Sequence, residues 1–175
     1  MATPSNGTHV AGSLLGSGAA SDGQYRGAAP AARFVFQSFM TASETLALPD
    51  DLNEFYAPPY DLGARIHSDS WGSAVAGEYS SDAMTTDEFI WDHPDLLVAY
   101  AAGNSGKDSV RDGVVDLASL DAPASAKNVL AIGAAESGRP SGSGGKTSGS
   151  YGTYWSTSFL LPPIRFDLVS SSPAG

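Results

Sequence analysis

Short apolar runs alternate with polar, glycine-containing segments along this chain, and the alternation predicts its elements. A run of small apolar residues over positions 10–15 favours a helix from near residue 5 to about residue 16. An alternating, aromatic-rich stretch over residues 33–40 predicts a strand. Residues 48–62 favour a helix that starts after Pro49 and is short or broken at Pro58 and Pro59.

The pattern is more regular after this point. Residues 64–70 predict a strand, residues 81–91 a helix, and residues 126–134 a last strand. The continuous apolar run over residues 96–102 is typical of a strand buried on both faces. Strands and helices in this order predict an α/β fold, a doubly wound and mostly parallel sheet with helices on both faces.

The regular pattern ends near residue 136, which sets the predicted domain organisation. Residues 1–136 are assigned to one α/β domain. Residues 137–175 begin with a stretch rich in Gly and Ser and continue as a tail that holds Trp155, Phe159 and Phe166. Because the tail carries these apolar side chains, we expect it to pack on the same domain.

Composition and charge exclude several classes of function. Hydrophobic residues make up 42% of the 175 residues, which fits a globular domain with a substantial core. Nineteen acidic and nine basic residues give a net charge of −10, and no basic patch indicates a nucleic-acid partner. No apolar run reaches the ~18 residues of a membrane helix, and no signal peptide opens the chain. The absence of cysteine excludes disulfides and a cysteine nucleophile.

An acidic loop leaves one cofactor open. Asp108, Asp112, Asp116 and Asp121 recur through it, and carboxylate oxygens are ligands that calcium prefers. The loop lacks the Asp-x-Asp-x-Asp-Gly spacing of a calcium-binding loop, so a solvated acidic segment is the alternative interpretation. The sequence offers Asp108, Asp112 and Asp116 as the candidate metal ligands.

Four motifs in one order resemble the subtilisin family of serine proteases. Residues 6–12 read Asn-Gly-Thr-His-Val-Ala-Gly, residues 64–72 read Ala-Arg-Ile-His-Ser-Asp-Ser-Trp-Gly, and residues 101–106 read Ala-Ala-Gly-Asn-Ser-Gly. Residues 128–134 supply the fourth, Asn-Val-Leu-Ala-Ile-Gly-Ala. The resemblance runs from residue 6 to about residue 139 and is strongest to the larger secreted alkaline proteases. It implies a truncated subtilisin-like fold, hydrolytic ancestry and a secreted location.

Asn104 is the strongest candidate for chemistry. A glycine turn directly after a buried strand places its carboxamide at the carboxyl edge of a parallel sheet, where open α/β folds bind ligands. The resemblance implies that Asn104 donates a hydrogen bond to the oxyanion of a tetrahedral intermediate. The alternative is a plain turn with an asparagine in a left-handed conformation.

The resemblance also implies a substrate-binding edge. Ser70, Trp71 and Gly72 correspond to the strand end that lines the specificity pocket and pairs with an extended peptide, and Gly103 borders it beside the oxyanion turn. Such pairing needs only backbone groups. An ordinary strand terminus with a packed tryptophan is the alternative.

The catalytic machinery of the family is changed at its first histidine. The family motif reads His-Gly-Thr-His-Val-Ala-Gly, and its first histidine is the general base, a place that Asn6 takes here. An asparagine has no titratable nitrogen near neutral pH. His9 is a candidate replacement base, with a buried, hydrogen-bonded histidine as the alternative. The family's aspartate and nucleophilic serine segments would precede residue 1 and follow residue 175, and we expect the chain to lack them.

No second triad is expected elsewhere in the sequence. His67 and Asp69 share one face of a predicted strand, and Ser68 and Ser70 share the other, so no serine faces His67 locally.

Two functions remain open from the sequence. One is a subtilisin-derived hydrolase with weak or altered activity on an extended peptide or a small acyl substrate, such as an ester or lactone. The other is a non-catalytic pseudo-protease that binds peptide or self-assembles. Because a truncated sheet uncovers an edge and apolar surface, we expect a homo-oligomer.

Overall fold

The computed structural model describes residues 6–41, 45–106 and 116–133. The chain divides into two compact units, Met1–Arg65 and Ile66–Gly175, and each is described by itself. The tail over residues 137–175, predicted to pack on the same domain, lies outside the described residues.

The first unit opens with helix α1, Asn6–Leu15, which confirms the helix predicted from the apolar run. The loop at residues 27–29 covers its carboxyl end. The N–H groups of Gly27, Ala28 and Ala29 donate to the carbonyls of Gly16, Ser13 and Leu14 over 2.7 to 3.0 Å. These bonds satisfy carbonyls that a helix end otherwise leaves without partners. A side chain at Gly27 would place its Cβ 2.6 Å from the Gly16 nitrogen, so this close approach requires glycine.

The predicted strand over residues 33–40 is wrong. The described residues there are extended without a regular ladder, and one isolated antiparallel bridge joins Met40 to Leu46. Phe34 and Phe36 are each 60% exposed, whereas the ring of Phe39 packs against that of Phe55. An aromatic, alternating pattern forms a strand only where a neighbouring strand supplies hydrogen bonds along its length.

Helix α2, Asn53–Asp61, is short, as one of the two predicted alternatives has it, and it runs through both prolines without a break. The helix begins later than predicted, where Asp51 accepts a hydrogen bond from the Asn53 N–H over 2.9 Å. Pro59 has no N–H to donate to the carbonyl of Phe55, four residues earlier. The side-chain amide of Gln37 donates to that carbonyl instead, over 3.1 Å. A tertiary contact therefore supplies a bond that the sequence removes from the helix.

The second unit contains a parallel sheet of three strands in the order β1-β2-β3. The strands are β1 (Ile66–Asp69), β2 (Leu97–Ala101) and β3 (Leu130–Ile132), each within a stretch predicted to be a strand. Helix α3, Ser81–Asp92, lies between β1 and β2 in the chain, as predicted. The parallel sheet and the helices confirm the α/β class of a truncated subtilisin-like fold.

The central strand is buried on one face rather than on both. Val98 and Tyr100 are fully buried, whereas Leu97 is 46% exposed. Leu97 pairs with Ile66, and Ala99 with Leu130, so these residues share the more open face. Composition alone does not distinguish the two faces, because both carry apolar side chains.

Helix α3 packs through one face and is capped at both ends. The hydroxyl of Ser80 accepts a hydrogen bond from the Ala83 N–H over 3.3 Å, the usual role of an N-cap serine. At the other end, the His93 ring stacks on Phe89 and its Nδ1 donates to the Phe89 carbonyl over 2.8 Å. The buried side includes Ala83, Asp87 and Ile90, which places one carboxylate in a mostly apolar face.

Candidate substrate-binding edge

The parallel register brings the ends of β1 and β2 together. Asp69, the last residue of β1, lies opposite Tyr100 near the end of β2. Residues 70–72 and residues 102–104 therefore leave the sheet at the same carboxyl edge. This is the edge that the sequence predicts for substrate binding.

A loop at residues 121–122 forms backbone hydrogen bonds with the segments that follow β1 and β2. The Asp121 N–H donates to the carbonyl of Ala102 over 3.0 Å. Ala122 and Ser73 exchange two backbone hydrogen bonds of 2.9 Å each. A Cβ at Gly72 would lie 3.0 Å from the Ala122 carbonyl oxygen, so the backbone approaches closely here. The loop fixes the edge from both sides.

The side chain of Asp121 holds the turn that carries Asn104. Its carboxylate is buried and accepts hydrogen bonds from the Ser105 hydroxyl over 2.7 Å and from the Asn104 N–H over 3.2 Å. Gly103 adopts a φ of +109°, which favours glycine, and lies directly against this carboxylate. A Cβ at Gly103 would lie 2.6 Å from that of Asp121, so any side chain there would displace it.

This arrangement leaves the side-chain carboxamide of Asn104 available to donate a hydrogen bond. The residue is exposed, and its side chain makes no hydrogen bond to the described residues. Its backbone N–H is used, but its side-chain NH₂ is a donor on a turn whose backbone is fixed. The predicted oxyanion donor therefore has a fixed backbone and an exposed side-chain carboxamide.

Trp71 is oriented by a chain of contacts from β1. Its indole N–H donates to Asp69 over 3.1 Å, and its ring meets the ring of Tyr100 edge-on at 5.4 Å. The other Asp69 oxygen lies 2.7 Å from Nδ1 of His67. This contact agrees with the prediction that His67 and Asp69 share a strand face. Ser70 and Gly72, the other predicted edge residues, are exposed.

Asn6 and His9 belong to the first unit, and Asn104 belongs to the second. Asn6 is the first residue of α1, and His9 lies within that helix. His9 is exposed, so the alternative interpretation of a buried histidine is wrong. None of the described residues of α1 is fully buried, because the small side chains of this helix cover little of its surface. The role of His9 as a replacement base stays a prediction.

Two of the three candidate calcium ligands lie outside the described residues. Asp108 and Asp112 fall there, and the backbone carbonyl of Asp116 accepts from the Ser119 hydroxyl over 2.7 Å. Among residues 6–41, 45–106 and 116–133, no group of three histidines or acidic residues could hold a metal ion. In the same part of the chain, no helix is both long and apolar enough to cross a membrane.

A second buried carboxylate, that of Asp87, holds another loop. It accepts from the N–H groups of Lys127 over 2.9 Å and Asn128 over 2.7 Å, and from the Tyr79 hydroxyl over 2.8 Å. The hydrogen bond to Asp87 raises the pKa of Tyr79, and desolvation and the negative charge of Asp87 add to the rise.

A shallow cavity of about 480 Å³ lies over Asp87. Its lining comes from Tyr79, α3 and the loop before β3 and includes Met84, Trp91 and Lys127, but not Asn104. Because Asp87 is already held by three donors and Trp91 is 80% exposed, we place the candidate site at the carboxyl edge and not in this cavity.

Sequence reasoning missed both aspartates as positioning groups, although each has a local signal. Asp121 stands in Leu-Asp-Ala-Pro-Ala, an apolar setting unlike that of Asp108 or Asp112. Asp87 lies four residues after Ala83 and three before Ile90, on the apolar face of its helix. For these two aspartates, the apolar setting in the sequence is the feature that distinguishes them from the acidic residues at 108 and 112.

Comparisons with known proteins agree with this geometry. The model of the subtilase family of peptidases matches residues 5–170. Three relatives from Dictyostelium discoideum are named serine protease/ABC transporter B family proteins. The one called tagB is 37% identical over 136 residues, which cover 74% of this chain and 7% of that protein. The one called tagD is 36% identical over 138 residues, 74% of this chain and 7% of that protein. The one called tagA is 32% identical over 163 residues, 91% of this chain and 9% of that protein.

The chain thus spans less than a tenth of the length of each of these relatives. The family match covers residues 70–72, residues 101–106 and the parallel sheet. On this match, and on the three serine protease relatives, the chain belongs to the subtilase family.

Proposed function

We propose that this chain binds an extended peptide or a small acyl substrate at the carboxyl edge of its sheet and hydrolyses it weakly. Asn104 is the oxyanion donor in this proposal. Membership of the subtilase family supports a protease-like hydrolase. The finer assignment of weak or altered activity is our own.

The observation that carries the proposal is that the backbone of the Asn104 turn is held while its side chain is exposed. When a nucleophile attacks a carbonyl carbon, negative charge develops on the carbonyl oxygen. A donor that is already fixed stabilises this charge without reorganising. The Asn104 backbone is held by Asp121, while its carboxamide stays exposed at the sheet edge. The substrate would pair with residues 70–72 through its backbone.

A second candidate function is peptide binding without catalysis. It is favoured by Asn6, which occupies the place of the family's general base and cannot take up a proton near neutral pH. Ester and lactone hydrolysis demands less catalysis than amide hydrolysis, so the two candidates are best separated on activated esters.

The test measures hydrolysis of a nitrophenyl ester, a lactone and casein by the wild type and by single variants. We expect Asn104→Ala to lower kcat by about 10²-fold or more with KM little changed, because the lost bond forms only in the transition state. Its stability should hold, since the side chain is exposed. Asn53→Ala is the matched control, an asparagine lost from the start of α2. Turnover that Asn104→Ala leaves intact would place the chemistry elsewhere.

His9→Ala and Asn6→His test the proton acceptor in the same assay. If His9 serves as the base, its loss should lower kcat. If residue 6 can still act in the place of the family's general base, Asn6→His should raise the esterase rate. Peptide binding by a wild type that shows no turnover on any of these substrates would select the second candidate.

Self-association and secretion are further proposals from the family resemblance. The open sheet face, where Ile66 is 71% exposed and Leu97 46%, is apolar surface of the kind that a second copy would cover. Size-exclusion chromatography with light scattering should give a dimer or larger species. A stable monomer at dilute concentration would contradict this proposal.

A further inference from the structure

One buried side chain contacts three successive residues of the oxyanion turn. The carboxylate of Asp121 accepts from the Ser105 hydroxyl and the Asn104 N–H, and it packs against the backbone of Gly103. No other described side chain bonds to the backbone N–H of Asn104. The location of the carboxamide of Asn104 therefore depends on where this carboxylate lies.

We propose that Asp121 is a positioning residue for the oxyanion donor: it sets the location of Asn104 and does not touch the substrate itself. This inference rests on the proposed function, because it gives a role to Asp121 in the site where Asn104 acts.

The chemistry of the carboxylate explains why it holds the turn. A buried negative charge is unfavourable unless hydrogen bonds compensate it. Among the described residues, no lysine, arginine or histidine forms an ion pair with Asp121. The donors of the turn therefore compensate the charge, through bonds that are stronger than those to a neutral acceptor. The attraction keeps residues 103–105 closed against the carboxylate.

The carboxylate is itself held in place through its backbone. The Asp121 N–H is bonded to Ala102, at the end of β2, and the next residue pairs with Ser73, just past the substrate-binding edge. The loop at residues 121–122 is thus hydrogen-bonded both next to the oxyanion turn and next to the segment that would pair with a peptide. The distance between the oxyanion donor and the bound carbonyl follows from this linkage, and an error of about 1 Å in such geometry costs up to 10²-fold in rate.

Substitutions at Asp121 separate hydrogen bonding from bulk. In Asp121→Asn, the carboxamide oxygen can accept from the Asn104 N–H while its NH₂ donates to the Ser105 hydroxyl, which can accept. In Asp121→Leu, a side chain of similar size offers neither bond. The matched control is Asp87→Leu, which removes another buried carboxylate of this unit from a loop that does not include Asn104.

The probes are two short peptides that differ at one group. One carries a tetrahedral phosphonate, whose charged oxygen resembles the oxyanion, and the other carries a planar amide. The wild type should bind the phosphonate more tightly, and Asn104→Ala should remove the preference. We expect Asp121→Leu to lower the preference about tenfold or more, Asp121→Asn to retain most of it, and Asp87→Leu to lower the melting temperature alone.

Amide hydrogen exchange supplies a readout that needs no ligand. In Asp121→Leu, the Asn104 amide should exchange faster while the amides of Val98 and Tyr100 in β2 stay protected. Unchanged exchange at Asn104 would overturn the positioning role.

The binding outcomes separate this inference from the proposed function. A wild type without preference for the phosphonate overturns the proposed function and, with it, the inference. A preference that Asn104→Ala abolishes and Asp121→Leu leaves intact overturns the inference alone. A preference that both variants abolish, and that Asp121→Asn preserves, supports it.

Discussion

Two buried aspartates of the second unit do similar chemistry in different places. Asp87 projects from helix α3 and accepts from two successive backbone N–H groups and one hydroxyl. Asp121 projects from a loop and accepts from one backbone N–H and one hydroxyl. Each carboxylate holds a segment that has no regular secondary structure to satisfy its backbone.

The difference lies in what each held segment carries. The segment at Asp87 leads into β3 and contributes to the sheet, so its loss should affect folding. The turn at Asp121 carries Asn104, whose exposed carboxamide is the candidate oxyanion donor. A buried carboxylate is thus a general way to fix a loop, and only the residue on the loop makes the contact functional.

The largest effect on stability is expected at Asp87. Asp87→Ala leaves two part-buried backbone N–H groups without their acceptor, and an unsatisfied donor costs up to about 1–3 kcal/mol when it is fully buried. We expect the free energy of unfolding to fall by about 3–5 kcal/mol in urea denaturation. Glu88→Ala, the exposed neighbour on the same helix, is the control and should stay within about 0.5 kcal/mol of the wild type. A loss below 1 kcal/mol at Asp87 would contradict its structural role.

A smaller effect is expected at Gly103. Gly103→Ala combines a positive φ with a collision against Asp121, and we expect a loss of about 2–4 kcal/mol. Gly63→Ala is the control, because Gly63 has a φ of +93° but no atom near its missing Cβ, so it isolates the backbone strain of about 1–2 kcal/mol. Asp121→Ala should relieve part of the Gly103→Ala defect in the double variant. If the free-energy losses of the two single variants simply add in the double variant, the Asp121 carboxylate does not press on the turn.

The smallest effect is expected at Tyr79. Its neutral hydroxyl donates to Asp87, which raises its pKa above the ordinary value of 10.0. Because the folded-state pKa is raised, the stabilisation is present below pH 10 and is lost as pH rises through the raised pKa. In a spectrophotometric titration, Tyr79→Phe should reduce the late phase of the curve, above pH 10, by one tyrosine. An unaltered late phase would assign the raised pKa to another tyrosine.

Much of the fold could be predicted from periodicity. Helix α1, helix α3 and strands β1 and β2 lie where the apolar patterns predict them. In α3 and β2 the apolar positions coincide with a buried face. The strand predicted at the aromatic residues 33–40 was wrong, because strand formation depends on a neighbouring strand that no local pattern reveals. Helix α2 continued through its prolines because Gln37, far away in the sequence, donates to the carbonyl of Phe55.

The candidate site was predictable only in part. Asn104 follows a buried strand, and its motif alone placed it at the sheet edge. Asp121 was grouped with the solvated acids of its loop, because its burial arises from the contact with residues 102–105 and not from its neighbours in the chain. His9 was weighed as a buried residue, although the small side chains of α1 leave it exposed.

The sequence by itself determined the family, the parallel α/β pattern and the identity of the residue that replaces the general base. Those properties follow from residue types and their order along the chain. Only the tertiary structure decided which carboxylates are buried and which segments they hold, because a hydrogen bond between residues 17 apart depends on how the strand ends meet. The placement of Asn104 is therefore encoded jointly by its own turn and by Asp121.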